Sequence, residues 1–172
     1  FDFFLVPDKK YKFQIETLKL LGIENKSISS KKYKHTFSNE VIATNHPWQS
    51  SNSAHNDIEN VPKWISIWLR KKFLKFKSKK KFYNKIYIDR SDSQHIERKI
   101  INENEIKKFL IEKKFKILKL SEFSFIDQIA IFNSAKIIVG NHGAGFTNLV
   151  FCKKNTKVVE FRDVNTAKLF KK

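Results

Sequence analysis

The chain has 172 residues, 41% of them hydrophobic with 17 Phe, which is enough for one ordinary domain or for one domain and part of another. Its formal charge of +18 suggests a polyanionic partner, yet only four of the 35 basic residues are Arg (Arg70, Arg90, Arg98, Arg162), and the Arg-rich, aromatic-interleaved pattern of a base reader is missing. The single Cys152 excludes an intrachain disulfide and a cysteine-based metal cluster, and every apolar run is broken by Lys, Asp or Asn too soon for a membrane span or signal peptide.

The lysine surplus, alongside abundant Ile, Asn and Phe, matches AT-biased codon usage as well as it matches an anionic partner. A basic module that holds nucleic acid or an anionic membrane therefore stays open as an alternative to an enzyme. A reducing cytoplasm is the expected compartment, at the inner face of a membrane if the lysines hold lipid. The chain opens on Phe1 and stops at Lys172 just past a strand-like run, so a fragment of a longer protein is expected.

Asp2 to Pro7 (DFFLVP) reads as a buried strand ended by proline. Residues 11 to 21 place Phe13, Ile15, Leu18 and Leu21 at roughly helical spacing, with Gly22 where a C′ residue belongs. A short strand is expected near Asn39 to Thr44, followed by a polar loop from Asn45 to Asn60. Pro62 at N1 opens a helix carrying Ile65, Trp68, Leu69, Lys72 and Phe73 on one stripe, which reads as packing rather than as a ligand platform. The lysine run that follows is a solvated face in the plain reading. It marks a boundary between a partial N-terminal α/β domain with its connecting helix, 1–78, and a Rossmann-like domain, 79–172.

Past the boundary, strands and helices alternate. Strands are expected at Lys85–Asp89, Phe115–Leu120, Lys136–Gly140 and Lys157–Phe161. Between them lie a helix capped by Asn102 with Glu105 at N3 and inner residues Ile106, Phe109 and Leu110, and a helix capped by Ser124 with Ile129, Phe132 and Ala135 inward. A third helical segment, 144 to 151, follows the glycine turn. The alternation predicts an α/β fold with a parallel sheet, whose ligands bind beyond the carboxyl ends of the strands. Arg90, Asn141, His142 and Glu160 fall at or near such ends.

Three of the four glycines lie within Gly140–Gly145, in the run KIIVGNHGAGFTN. Strand, glycine turn and helix start form an anion site, because the first N–H groups lack intrahelical partners and the positive end of the dipole points outward. The run lacks the G-x-G-x-x-G of dinucleotide folds and the G-K-[ST] of a P-loop. A ligand-free structural turn is the plain alternative. His142 can donate to a phosphate oxygen or cap the turn; Arg90 and Arg98 can take a phosphate bidentately or serve as surface charges, with Arg98 pairing Glu103. Glu160 can accept both hydroxyls of a ribose. No Asp-x-Asp and no His/Cys/carboxylate run with metal spacing is present, so no metal cofactor is expected.

The runs IYIDRSDSQHIERKIINENEIKKFL, LSEFSFIDQIAIFNSAKIIVGNHGAGFTNLVF and VVEF resemble the glycosyltransferase family 61 domain of capsular and lipopolysaccharide biosynthesis proteins and of eukaryotic O-GlcNAc and xylosyl transferases. The resemblance covers about residues 85 to 161 and rests on Arg90, Arg98, Asn102-Glu103, Gln128, His142-Gly143-Ala144-Gly145, Thr147-Asn148 and Glu160 in order; Phe146 stands where Leu is usual. It implies a two-domain GT-B architecture, a nucleotide-sugar donor in the C-terminal domain, a glycan or lipid-linked glycan acceptor, and inversion at the anomeric carbon. His142 and Arg90 are then the catalytic candidates, and Asn141, Gly143, Ala144, Gly145, Thr147, Asn148, Arg98 and Glu160 the donor-binding candidates. The family's upstream His stretch has no counterpart in this chain, which leaves His46 and Asp8 as weak substitutes for the general base.

Overall fold

The computed structural model describes residues 2–44, 61–92 and 100–162. The chain divides into two compact units, Phe1–Lys75 and Phe76–Lys172.

The first unit holds a small β-α-β element. Strand β1 (Phe4–Val6) pairs in parallel with β2 (Ser27–Ser29), in the register Phe4 to Ser27. Helix α1 (Lys12–Leu20) connects them. Its start is tied by Gln14, whose Oε1 accepts from the Lys10 and Tyr11 amides at 2.8 and 2.9 Å. Gly22 follows with φ +73°, the left-handed C′ conformation the sequence predicts. Three expectations need correction here. The first strand is only half-buried, with Leu5 58% exposed, because a two-stranded sheet leaves a face uncovered. Residues 39–44 form no strand; without a ladder partner the segment stays irregular and exposed, and Ser38 Oγ donates to the Glu40 carbonyl. Helix α2 (Lys63–Phe73) starts one residue after Pro62, and its expected stripe splits: Phe73 is buried while Trp68 is exposed.

The second unit is a four-stranded parallel sheet of β3 (Lys85–Asp89), β4 (Lys116–Lys119), β5 (Ile137–Asn141) and β6 (Lys157–Phe161), in the order β4-β3-β5-β6. Its two central strands are the ones written as near-continuous apolar runs, as burial on both faces requires. Side chains alternate across β3. Tyr87 joins Val139 and Leu110 in a core under helix α3 (Glu103–Glu112), whereas Ile88 faces the segment after β5. Helix α4 (Phe125–Ser134) is apolar nearly all round, and Ile129, Ile131 and Phe132 are fully buried. Ser124 caps it by accepting from the Asp127 amide, as the sequence predicts.

Three local expectations differ. Asn102 occupies the N-cap of α3 but makes no cap bond with its side chain; its Nδ2 donates to Glu105 Oε2 at 3.4 Å, so the two side chains bond each other instead of the backbone ends. Phe109 points outward, 56% exposed, and Ile106 and Leu110 carry the inner face. Ala144–Phe151 is a 3₁₀ helix rather than an α-helix. Gly145 and the β-branched Thr147 and Val150 are weak α-formers, and side chains of α4 hold the segment in this tighter form. Asn133 Nδ2 donates to the Phe151 carbonyl at 2.9 Å, and Phe125 packs edge-on against Phe151.

Candidate functional site at the carboxyl end of the sheet

The strand order creates a switch point. From β3 the chain crosses to β4 on one side, then returns past β3 to β5 on the other, so the crossovers part between β3 and β5 and leave a crevice at their carboxyl ends. Arg90 follows β3 and His142 follows β5. Because Ile88 pairs with Gly140, the two residues come level just past the strands, and Arg90 Nη1 donates to the His142 carbonyl. The β5–β6 ladder runs one residue further, with the His142 amide donating to the Phe161 carbonyl at 2.9 Å.

The glycines of this turn have distinct duties. Gly143 adopts φ +157°, a conformation that side-chain-bearing residues rarely take, and a Cβ there would occupy the place of the Arg90 guanidinium. Gly140 and Gly145 are packing positions: a Cβ at Gly140 would lie 3.0 Å from the Phe146 ring and 3.1 Å from Ile88 Cβ, and one at Gly145 would lie 3.0 Å from Leu120 Cδ1. Their small size lets the 3₁₀ helix lie against β3. The first bond at the start of that helix is Phe146 N–H to the Gly143 carbonyl, at 2.9 Å, so the Ala144 and Gly145 amides precede the bonded turn and face the crevice end of the segment.

His142 Nδ1 lies 2.7 Å from Glu160 Oε1, and the second oxygen, Oε2, accepts from Arg162 Nε at 2.7 Å. Burial pushes the Glu160 carboxyl up, but the bonds from His142 and Arg162 more than offset it and hold the group ionised below its usual range. The crevice therefore presents Arg90, an imidazole braced by a carboxylate, and two leading amides. Such a set neutralises and hydrogen-bonds an anion, and it can hold a proton at one histidine nitrogen.

The other candidates are distributed as follows. Asn141 ends β5 and is half-buried, and Ala144 and Thr147 are exposed on the 3₁₀ segment. Asn148 is a staple: its Nδ2 donates to Gln128 Oε1 at 3.1 Å, and Gln128 Nε2 donates to the Leu120 and Phe123 carbonyls, which fixes the segment to the turn before α4. Arg98 and His46 lie outside the described residues. Asp8 belongs to the first unit, where it bonds Ser29 Oγ and approaches Lys31 Nζ at 3.9 Å.

A second polar cluster under the site escapes motif reading. Asp89, 6% exposed at the end of β3, bonds Lys107 Nζ at 3.0 Å and accepts from the Ser91 amide at 2.8 Å. Lys107 also reaches Glu103 Oε1 at 3.4 Å, and the Tyr87 hydroxyl donates to that oxygen at 2.8 Å. Burial pushes the Asp89 carboxyl up, yet the Ser91 amide and Lys107 bring it below its ordinary value. The Tyr87 hydroxyl is pushed well up, first by burial and then by the bond and charge of Glu103. The cluster clamps α3 to β3 directly beneath Arg90 and neutralises a carboxylate that would oppose an anion. The signal available in the sequence was the Glu103–Lys107 spacing of four on the inner face of α3, next to a strand ending in Asp.

A groove of about 520 Å³ lies at the opposite, amino-terminal end of the sheet, lined among others by Lys136, Lys153, Lys154 and Lys157. It contains no histidine, carboxylate or glycine turn, so its chemistry does not match that of the carboxyl end. Among the described residues, no helix is long and apolar enough to cross a membrane.

The family model described as Glycosyltransferase 61 matches residues 3–159, which takes in both units and every site residue except Glu160 and Arg162. A search of curated proteins finds no significant match.

Proposed function

Because the chain belongs to the glycosyltransferase 61 family, we propose that the crevice between β3 and β5 holds the diphosphate of a nucleotide-sugar donor and that the sugar passes, with inversion, to a glycan acceptor in surface polysaccharide synthesis. The observation that carries this reading is the meeting of Arg90, His142 and the Ala144–Gly145 amides at the switch point of a parallel sheet. As the bond to the anomeric carbon breaks, negative charge collects on the leaving diphosphate. Arg90 and His142 are positioned to stabilise it, and fixed donors do so without reorganising. The acceptor hydroxyl attacks from the opposite face, its proton taken by a base outside the second unit.

A ligand that binds only the folded state raises its stability, by about 2.7 kcal/mol at a hundred times its dissociation constant. Thermal melting with UDP, GDP, ADP and CMP in turn therefore tests the reading. One of them raises the melting temperature of the wild type, and Arg90→Ala and His142→Ala each remove most of the rise. If all four leave melting unchanged, there is no donor site in this crevice.

A further inference from the structure

Glu160 sits within β6 opposite Gly140, so it is fixed on a ladder rather than carried by a loop. Its two oxygens are both engaged, Oε1 by His142 Nδ1 and Oε2 by Arg162, which leaves it poorly disposed to serve a sugar hydroxyl as well. An ionised carboxylate can only accept hydrogen bonds, so Nδ1 must carry the hydrogen. Among the described residues Nε2 makes no hydrogen bond. Among the described residues, the charged groups tied to the imidazole are Glu160 and Arg162 from β6 and its end, and Arg90 from the end of β3, bonded to the backbone carbonyl of His142.

We propose that Glu160 is the positioning residue of His142: it fixes the imidazole with Nδ1–H inward and leaves Nε2 as the atom that meets the bound diphosphate. With Nδ1–H committed to Glu160, Nε2 is the nitrogen left to meet a phosphate oxygen, and Glu160 balances the charge of an imidazolium that donates to it. This inference rests on the diphosphate reading above and assigns Glu160 to the histidine instead of to the donor's ribose.

Inorganic pyrophosphate separates the two roles, because it has no ribose. In the wild-type chain, ¹⁵N spectra of the histidine side chains show His142 with its hydrogen on Nδ1, and bound pyrophosphate shifts the Nε2 signal more than the Nδ1 signal. Glu160→Gln weakens pyrophosphate and nucleoside diphosphate alike, by about tenfold, the usual weight of a charge-assisted bond. Loss of nucleoside diphosphate binding with pyrophosphate binding intact in Glu160→Gln would return Glu160 to the ribose and overturn the inference. So would a wild-type His142 whose hydrogen sits on Nε2 with Nδ1 bare, a result that needs no variant to fold. Failure of the wild type to bind pyrophosphate and every nucleoside diphosphate would instead remove the diphosphate site itself.

Discussion

Lys107→Met tests whether the buried cluster beneath Arg90 is an ion pair that the fold depends on. Methionine keeps nearly the length and volume of the lysine stem, so little packing is lost. What goes is the cation bonded to Asp89 at 3.0 Å and to Glu103 at 3.4 Å, leaving carboxylates with only 7% and 22% of their side chains exposed. Removing one partner of a buried pair costs about 3–5 kcal/mol, and the partial exposure of Lys107 and Glu103 puts this case near the lower end, about 3 kcal/mol. The dependence on pH follows from the sign of the Asp89 shift. In the wild type the folded carboxyl lies below its unfolded value, so its contribution is present above that value and disappears as pH falls through the folded one. In the variant, burial is opposed by little beyond the Ser91 amide, and the penalty appears as the carboxylates ionise. Urea unfolding of both proteins should therefore differ by about 3 kcal/mol at about pH 7 and by under about 1 kcal/mol at about pH 3.5. Equal losses at the two pH values, or a loss below about 1 kcal/mol at neutrality, would refute the ion-pair account.

Gly143→Ala should destabilise by about 1–3 kcal/mol, because φ +157° strains any side chain and the added methyl displaces the Arg90 guanidinium. Thermal melting reads the first effect, and loss of nucleoside diphosphate protection reads the second. A variant that melts and binds like the wild type would show that the close approach is unimportant. Asn148→Ala and Gln128→Ala, made singly and together, should reveal a coupling of about 1 kcal/mol in a double-mutant cycle, since each amide's bond is lost with its partner. Additive losses would show that Asn148 is not a staple.

The parallel sheet was readable because its central strands are short β-branched runs separated by capped, periodic helices. Ser124 and Gly22 illustrate this well: each stands where a local rule needs it and adopts the conformation that rule describes. Strand ends could be read too, which is why Arg90, His142 and Glu160 are found at the carboxyl edge. Long-range pairings were not readable. Nothing local announces that Glu160 bonds His142 or that Asn148 bonds Gln128, because those partners stand 18 and 20 residues away. Local pattern also failed where burial depends on the neighbouring layer, as with exposed Phe109 and Trp68. The 3₁₀ form of Ala144–Phe151 reflects ties to α4 that no helical periodicity encodes.

The central claim, that the anion end of the donor lies at the start of the 3₁₀ segment, is tested most directly by amide spectra during titration with UDP, GDP, ADP and CMP. Saturable shifts centred on the amides of His142, Gly143, Ala144 and Gly145 are expected for at least one nucleotide. Shifts confined to Lys136 and Lys153–Lys157, at the amino-terminal groove, would contradict it.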